Sequence, residues 1–193
     1  VAIDFQPGRF IMVWLPGVDE KPYTISYHGP MRFGITIEAK GKFSNQAVTL
    51  SPGDQVGIRG PFGNGFDIIP SPHVAVVAGG CGMAPLAPLV ERLDTNLFFV
   101  HGAKKKDFIL YPRRFGVKRH FTTDDGSLGH KGFVTDLLAA EIRRRTDQAQ
   151  PQFDMVYACG PEMMMHAVFS LCEASGIPCQ VSLERYMRCG FGV

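Results

Sequence analysis

Up to about residue 70, apolar and polar positions alternate over short runs. "GRFIMVWL", "YTISYHG" and "RFGITIEAKG" are rich in β-branched and aromatic side chains and stop at Gly or Pro, which predicts strands. "LSPGDQVGIRGPFGNGF" adds a Pro-Gly-Asp turn, a brief strand and a glycine-dense loop. Several short strands at regular spacing, with no helical stretch among them, read as a small antiparallel β-barrel over residues 1–70. After Ser71-Pro72 the period changes. "HVAVVAGG" is a continuous apolar run, as in a strand buried on both faces of a parallel sheet. "APLAPLVERL" follows as a helix with its prolines in the first turns, then "NLFFVHG" and "VKRHFTT" as strands. "GFVTDLLAAEIRRR" has helical spacing, "FDMVYACG" is a buried strand, "PEMMMHAVFSLCEASG" is a helix ending at Gly176, and "CQVSLE" is a last strand. Alternating strand and helix over residues 71–182 predicts a doubly wound parallel sheet, giving a β + α/β chain of two domains.

Composition narrows the partners more than the fold. The 193 residues are 45% hydrophobic, enough for a sizeable core. A net charge of +2 gives no argument for nucleic acid. Lys104-Lys105-Lys106 and Arg143-Arg144-Arg145 read as solvated faces, the second suiting the negative end of a helix. The five cysteines form no C-x-x-C pair, which argues against a disulfide framework and for a reducing cytoplasm. No apolar run approaches the roughly 18 residues that would span a membrane. The chain opens on "VAIDFQPGRF", which reads as mid-strand, so the start looks clipped.

Two turns carry candidate chemistry. In "VVAGGCGMAPL", Gly79, Gly80 and Gly82 stand where a buried strand becomes a helix, so backbone N–H groups could approach a pyrophosphate; Met83 follows, and Pro85 holds the third position of G-x-G-x-x-G. A plain tight turn is the alternative. "YACGPEMMM" repeats the device with Cys159, Gly160, Pro161, Glu162 and Met163, and neighbouring strand ends of this kind line one crevice in open α/β sheets. Cys159 reads as a small thiol beside a flat ring or as a structural thiol. A Met163, Met164, Met165 stripe reads as core filler. Asp124 and Asp125 in "TTDDGSLG" end a strand, where carboxylates would accept from ribose hydroxyls and repel a 2′-phosphate, favouring NAD; the alternative is a solvated turn. In "KPYTIS", alternation sends Lys21 and Tyr23 to one face and Thr24 to the other.

Read in order, these motifs resemble the ferredoxin–NADP reductase superfamily, over nearly the whole chain. Lys21-Pro22-Tyr23-Thr24 matches its flavin motif R-x-Y-[ST], with Lys21 a point charge where the family has a forked Arg. Thr36-Ile37-Glu38 and Gly41-Lys42-Phe43-Ser44 match a second flavin motif, expected on the next strand. The resemblance implies FAD on the barrel, with Thr24 beside its ring, and NADH on the "AGGCGMAPL" and "CGPEMM" turns, with Cys159 beside the nicotinamide. It implies no residue acting as acid or base.

"SLERYMRCGFG" is similar to the S-L-E-x-x-M-x-C-G-x-G ending seen in electron-transfer subunits of type B dihydroorotate dehydrogenase. That resemblance makes Cys189 the first ligand of a [2Fe–2S] cluster in a segment beginning near residue 183. Plant-type spacing places the second ligand one residue past Val193. It further implies an FMN-containing catalytic partner in pyrimidine biosynthesis and a heterotetramer. Reductase subunits of cytoplasmic hydrogenases or sulfite reductases share the same features, and a flavin-free nucleotide-binding regulatory subunit is the reading from a different class.

Overall fold

The computed structural model describes residues 5–93 and 97–183. These form two compact units, divided between Phe66 and Asp67.

In the first unit, β1 (Phe10–Leu15) and β2 (Asp19–His28) make an antiparallel hairpin. The Pro16-Gly17 corner closes it, with Gly17 at φ 75° and Val18 N–H donating to the Leu15 carbonyl at 3.0 Å. β3 (Phe33–Ile35) pairs with β2, and β4 (Gly57–Phe62) pairs with β1, so the sheet order is β3-β2-β1-β4. Alternate residues Ile11, Val13 and Leu15 face the core with Ile25. The expectation of no helix in this half is corrected. α1 (Lys42–Ala47) lies between β3 and β4, and its Phe43 and Ala47, one turn apart, join the same core. Six residues carry too little period to register in a sequence pattern; burial of Phe43 against the sheet is what fixes them as helix. Thr36, Ile37 and Glu38 accordingly lie beyond β3 and outside any strand, and Gly41 caps a helix instead of continuing one.

The second unit is a six-stranded parallel sheet. Its elements are β5 (Val74–Gly79), α2 (Met83–Val90), β6 (Phe98–Ala103), β7 (Arg119–Thr123), β8 (His130–Lys131), α3 (Val134–Asp147), β9 (Met155–Cys159), α4 (Glu162–Ala174) and β10 (Cys179–Ser182). The order is β10-β9-β5-β6-β7-β8. Every residue of β5 and β9 is buried, as their unbroken apolar runs require. Ala75 and Val77 pack with Val134 and Leu138 of α3 and with Val168 and Cys172 of α4 on one face. α2 packs on β5 and β9 outside that cluster. The chain steps outward from β5 to β8, then returns to place β9 on the other side of β5. That reversal makes the carboxyl ends of β5 and β9 the topological switch point. Between β6 and β7 there is a long loop with one 3-10 turn (Lys106–Phe108) in place of a helix. Arg119 anchors it, donating to the carbonyls of Leu110 and Tyr111 at 3.3 and 2.6 Å.

Candidate functional site

The first unit carries a cleft of about 440 Å³ between β2 and the start of α1. Lys21, Pro22 and Tyr23 form one wall with Val18 and Asp19; Gly41, Lys42, Phe43 and Ser44 form the other. Lys21 and Tyr23 lie opposite the core residues Val13 and Ile11, so both point to the same side of the strand. The Tyr23 ring stacks on Phe43, with centroids 5.9 Å apart and planes at 26°. Burial pushes the Tyr23 phenol up, against the opposing pull of Lys21. Lys21 Nζ lies 2.6 Å from the Asp19 carboxylate. That hydrogen bond, assisted by the charge of Lys42, holds Asp19 below the usual carboxylate range.

Ser44 sets the loop. Its Oγ accepts from the N–H groups of Lys40 and Gly41 at 2.9 and 3.0 Å, so the hydroxyl is engaged in ordering the turn. The first-turn N–H groups of α1 have no carbonyl one turn back and point out of the helix start. Two lysines and oriented N–H donors beside a stacked aromatic pair are a donor set for a diphosphate joined to flat rings, so the residues present fit FAD. Thr24, opposite Phe10, faces away from this cleft. The Thr36 hydroxyl lies 2.9 Å from that of Ser26, Ile37 packs on the core, and Glu38 pairs with Lys40 at 2.8 Å. The structure thus gathers Lys21, Pro22, Tyr23 and Gly41 to Ser44 at the cleft and leaves Thr24, Thr36, Ile37 and Glu38 outside its lining.

The second unit brings its two glycine turns together at the switch point. A Cβ on Gly82 would collide with the carbonyl of Cys159, and one on Gly79 would sit 2.5 Å from Met164 Sδ and 2.8 Å from Pro161 Cδ. These two glycines therefore serve close packing of one turn on the other. Gly80 differs: it has φ 52°, and its missing side chain would meet nothing within 4 Å. Met83 and Pro85 are buried, so they shape the start of α2 from the core side. Cys159 is wholly buried, and its Sγ donates to the Ser182 carbonyl at 3.4 Å. Gly160, Pro161 and Glu162 open α4. The methionine stripe needs a correction. Met165 is buried and Met164 packs against the core, but Met163 is 80% exposed, on the side of α4 away from the buried Met165, Val168 and Cys172. A turn of N–H donors beside an open glycine fits a dinucleotide diphosphate.

Asp124 and Asp125 follow β7 at the same edge of the sheet. Asp125 accepts from the side chain and, at 2.9 Å, the N–H of Ser127, which holds its carboxyl below the usual range. Lys104, Lys105 and Lys106 are exposed, as a solvated face requires, and their backbone meets the acidic turn. The Asp125 N–H donates to the Lys104 carbonyl at 3.4 Å, and the Lys106 N–H donates to Ser127 Oγ at 2.9 Å, so the loop after β6 lies beside the turn after β7, and the Lys105 charge helps to hold Asp125 down. Sequence reasoning also missed His101, which lies beneath the Gly80 turn. Its Nε2 is 3.3 Å from the Gly80 carbonyl, and burial, with the charge of Arg119, pushes the imidazole down to about 4. A lone histidine in an apolar strand gives no signal in a hydrophobic pattern.

Among the described residues no group of three or more His, Cys, Asp or Glu side chains could hold a metal. Cys189, expected as a cluster ligand, lies outside the described residues. No helix among them is long and apolar enough to cross a membrane.

No protein-family model matches the sequence. Comparison with individual proteins gives clear matches. A Methanopyrus kandleri protein, "Probable dihydroorotate dehydrogenase B (NAD(+)), electron transfer subunit", is 41% identical over 199 residues, covering 99% of this chain and 72% of that protein. A Methanocaldococcus jannaschii protein of the same description is 40% identical over 195 residues, covering 98% and 72%. The chain belongs to the dihydroorotate dehydrogenase B electron transfer subunit family. The match to these electron transfer subunits takes in nearly the whole chain, so the cleft and both glycine turns lie within it. The solved structure of an NADH-dependent reduced ferredoxin-NADP oxidoreductase superposes with a TM-score of 0.84 at 29% identity, over 98% of this chain and 70% of that one. A ferredoxin reductase of carbazole 1,9a-dioxygenase, at TM-score 0.66 and 21% identity over 94% and 61%, shares the fold.

Proposed function

We propose that this chain is an NADH-dependent flavoprotein oxidoreductase, the electron transfer subunit that serves a catalytic dihydroorotate dehydrogenase subunit in pyrimidine biosynthesis. The observation that carries the reading is the cleft of the first unit. Its lining coincides with the motif residues Lys21 to Tyr23 and Gly41 to Ser44, in a chain about 40% identical to such subunits. Bound FAD would supply the exchange between an electron pair taken from NADH and single electrons handed onward. The chain's own residues bind and orient. Lys21, Lys42 and the first-turn N–H groups of α1 would offset the diphosphate charge, while Tyr23, fixed by Phe43, would pack against the cofactor. Thr24 would reach the ring from the other face of β2. On the second unit, the turn from Gly79 to Met83 and that from Cys159 to Met163 would hold the NADH diphosphate and nicotinamide, with the Asp124–Asp125 turn taking the ribose. Cys159 is small and buried, so it would keep a flat surface without donating a proton. Correct stacking is the protein's contribution to such a transfer.

The partner would carry FMN, the assembly would be a heterotetramer, and Cys189 would ligate a [2Fe–2S] cluster. The four cysteines among the described residues are thiols and not disulfides, which supports a reducing cytoplasm. The test is direct. The purified full-length protein should be yellow, heat should release FAD and not FMN, and anaerobic NADH should bleach the flavin band. A folded, colourless protein that takes up no added FAD would refute the reading.

A further inference from the structure

His101 sits at the fourth position of β6, wholly buried, with its Nε2 at 3.3 Å from the Gly80 carbonyl. Its other ring nitrogen, Nδ1, is also buried and has no hydrogen-bond partner. An apolar side chain would fill this space without leaving a buried lone pair, so packing alone does not account for an imidazole here. What the imidazole does is hold one peptide. The Gly80 carbonyl also receives the N–H of Met83, so both of its lone pairs have donors, one from the helix start and one from the neighbouring strand. In a trans peptide the C=O and the following N–H point in opposite directions. Fixing the Gly80 oxygen inward, toward β6, therefore turns the N–H of Cys81 outward. Gly80 tolerates this with φ 52° and no side chain in the way.

We infer that His101 is a positioning residue for nucleotide binding: its Nε2–H clamps the Gly80 peptide and so holds the β5–α2 turn in the conformation that receives the diphosphate of the dinucleotide. The inference rests on the reading of the β5–α2 turn as the NADH site. It requires the neutral Nε2–H tautomer, with Nδ1 bare. The depressed imidazole basicity supports that state at neutral pH.

Two measurements on the full-length protein test it. Nitrogen-15 NMR of the histidines should show His101 as the Nε2–H tautomer at pH 7; an Nδ1–H tautomer or an imidazolium would overturn the clamp irrespective of nucleotide. Calorimetric titration with NADH should then separate clamp from scaffold. His101→Leu should fold with stability close to that of the parent yet bind NADH about tenfold more weakly, the effect of a diphosphate turn no longer held in place. His101→Gln, whose amide can reach the same carbonyl, should recover most of that affinity, and His101→Asn, one methylene shorter, should not. The rate of flavin reduction at saturating NADH should be little changed in all three. Equal NADH affinity in the parent and His101→Leu would refute the inference. Failure of the parent itself to bind NADH would instead refute the placement of the nucleotide.

Discussion

Acidification should expose the cost of burying His101. An unfolded histidine titrates near 6.5, whereas the buried ring is pushed down to about 4 by desolvation and by the charge of Arg119. Between those values the unfolded chain carries a proton that the folded chain lacks. Stability is therefore complete above about pH 6.5 and falls as pH drops toward 4. The fall from 6.5 to about 4 corresponds to about 3 kcal/mol over the whole window, at a limiting slope of about 1.4 kcal/mol per pH unit. Asp19, Glu20, Asp125 and Glu141 are held below their usual range, so they add their own losses only at the acid end of this window and beneath it. Denaturant unfolding of the parent and of His101→Gln at half-unit steps from pH 7 to 4.5 separates the two effects, because only the parent has the buried imidazole. The parent should lose about 2 kcal/mol more than the variant over that range. Parallel curves for the two proteins, or an NMR titration of the His101 ring with a midpoint near 6.5, would refute the reasoning.

Three further outcomes are expected. Phe43→Ala should destabilise the first unit by about 3 kcal/mol in denaturant unfolding and loosen FAD on dilution, because Phe43 is 5% exposed and supports Tyr23; unchanged FAD retention would separate the cleft from the flavin. Asp124→Ser combined with Asp125→Arg should narrow the preference for NADH over NADPH in stopped-flow flavin reduction, since the neighbouring lysine run then meets a 2′-phosphate without opposing acids; a parent that already favours NADPH would refute the assignment of the turn. Cys189→Ser in the full-length protein should lower bound iron and abolish the paramagnetic signal that dithionite elicits from the parent, with NADH bleaching of the flavin retained; full iron content in the variant would remove Cys189 from the ligand set.

The parallel sheet was legible because its central strands are buried on both faces. Runs such as Val74 to Ala78 and Met155 to Cys159 can satisfy their side chains only between two helical layers, and the alternation of strand and helix then dictates the order of connections. α1 was not legible, since a single turn and a half of helix owes its existence to Phe43 meeting a sheet that is distant in sequence. The glycine turns were found for half of their reason. Pattern alone pointed to an approaching ligand, but Gly79 and Gly82 are required where the β5 and β9 turns approach one another, and only Gly80 faces open space. Likewise the two acids after β7 could be read as an isolated pair, because the link to the lysine run is an Asp125 N–H bond to the Lys104 carbonyl and a Lys106 N–H bond to the Ser127 hydroxyl, made between adjacent strand ends. His101 is the limiting case. Its neighbours in sequence, Val100 and Gly102, describe an ordinary core strand, and its chemistry depends wholly on the carbonyl of a residue 21 positions away. What hydrophobic period cannot carry is which buried polar atom meets which peptide, and in this sheet that one meeting decides where a glycine turn aims its N–H groups.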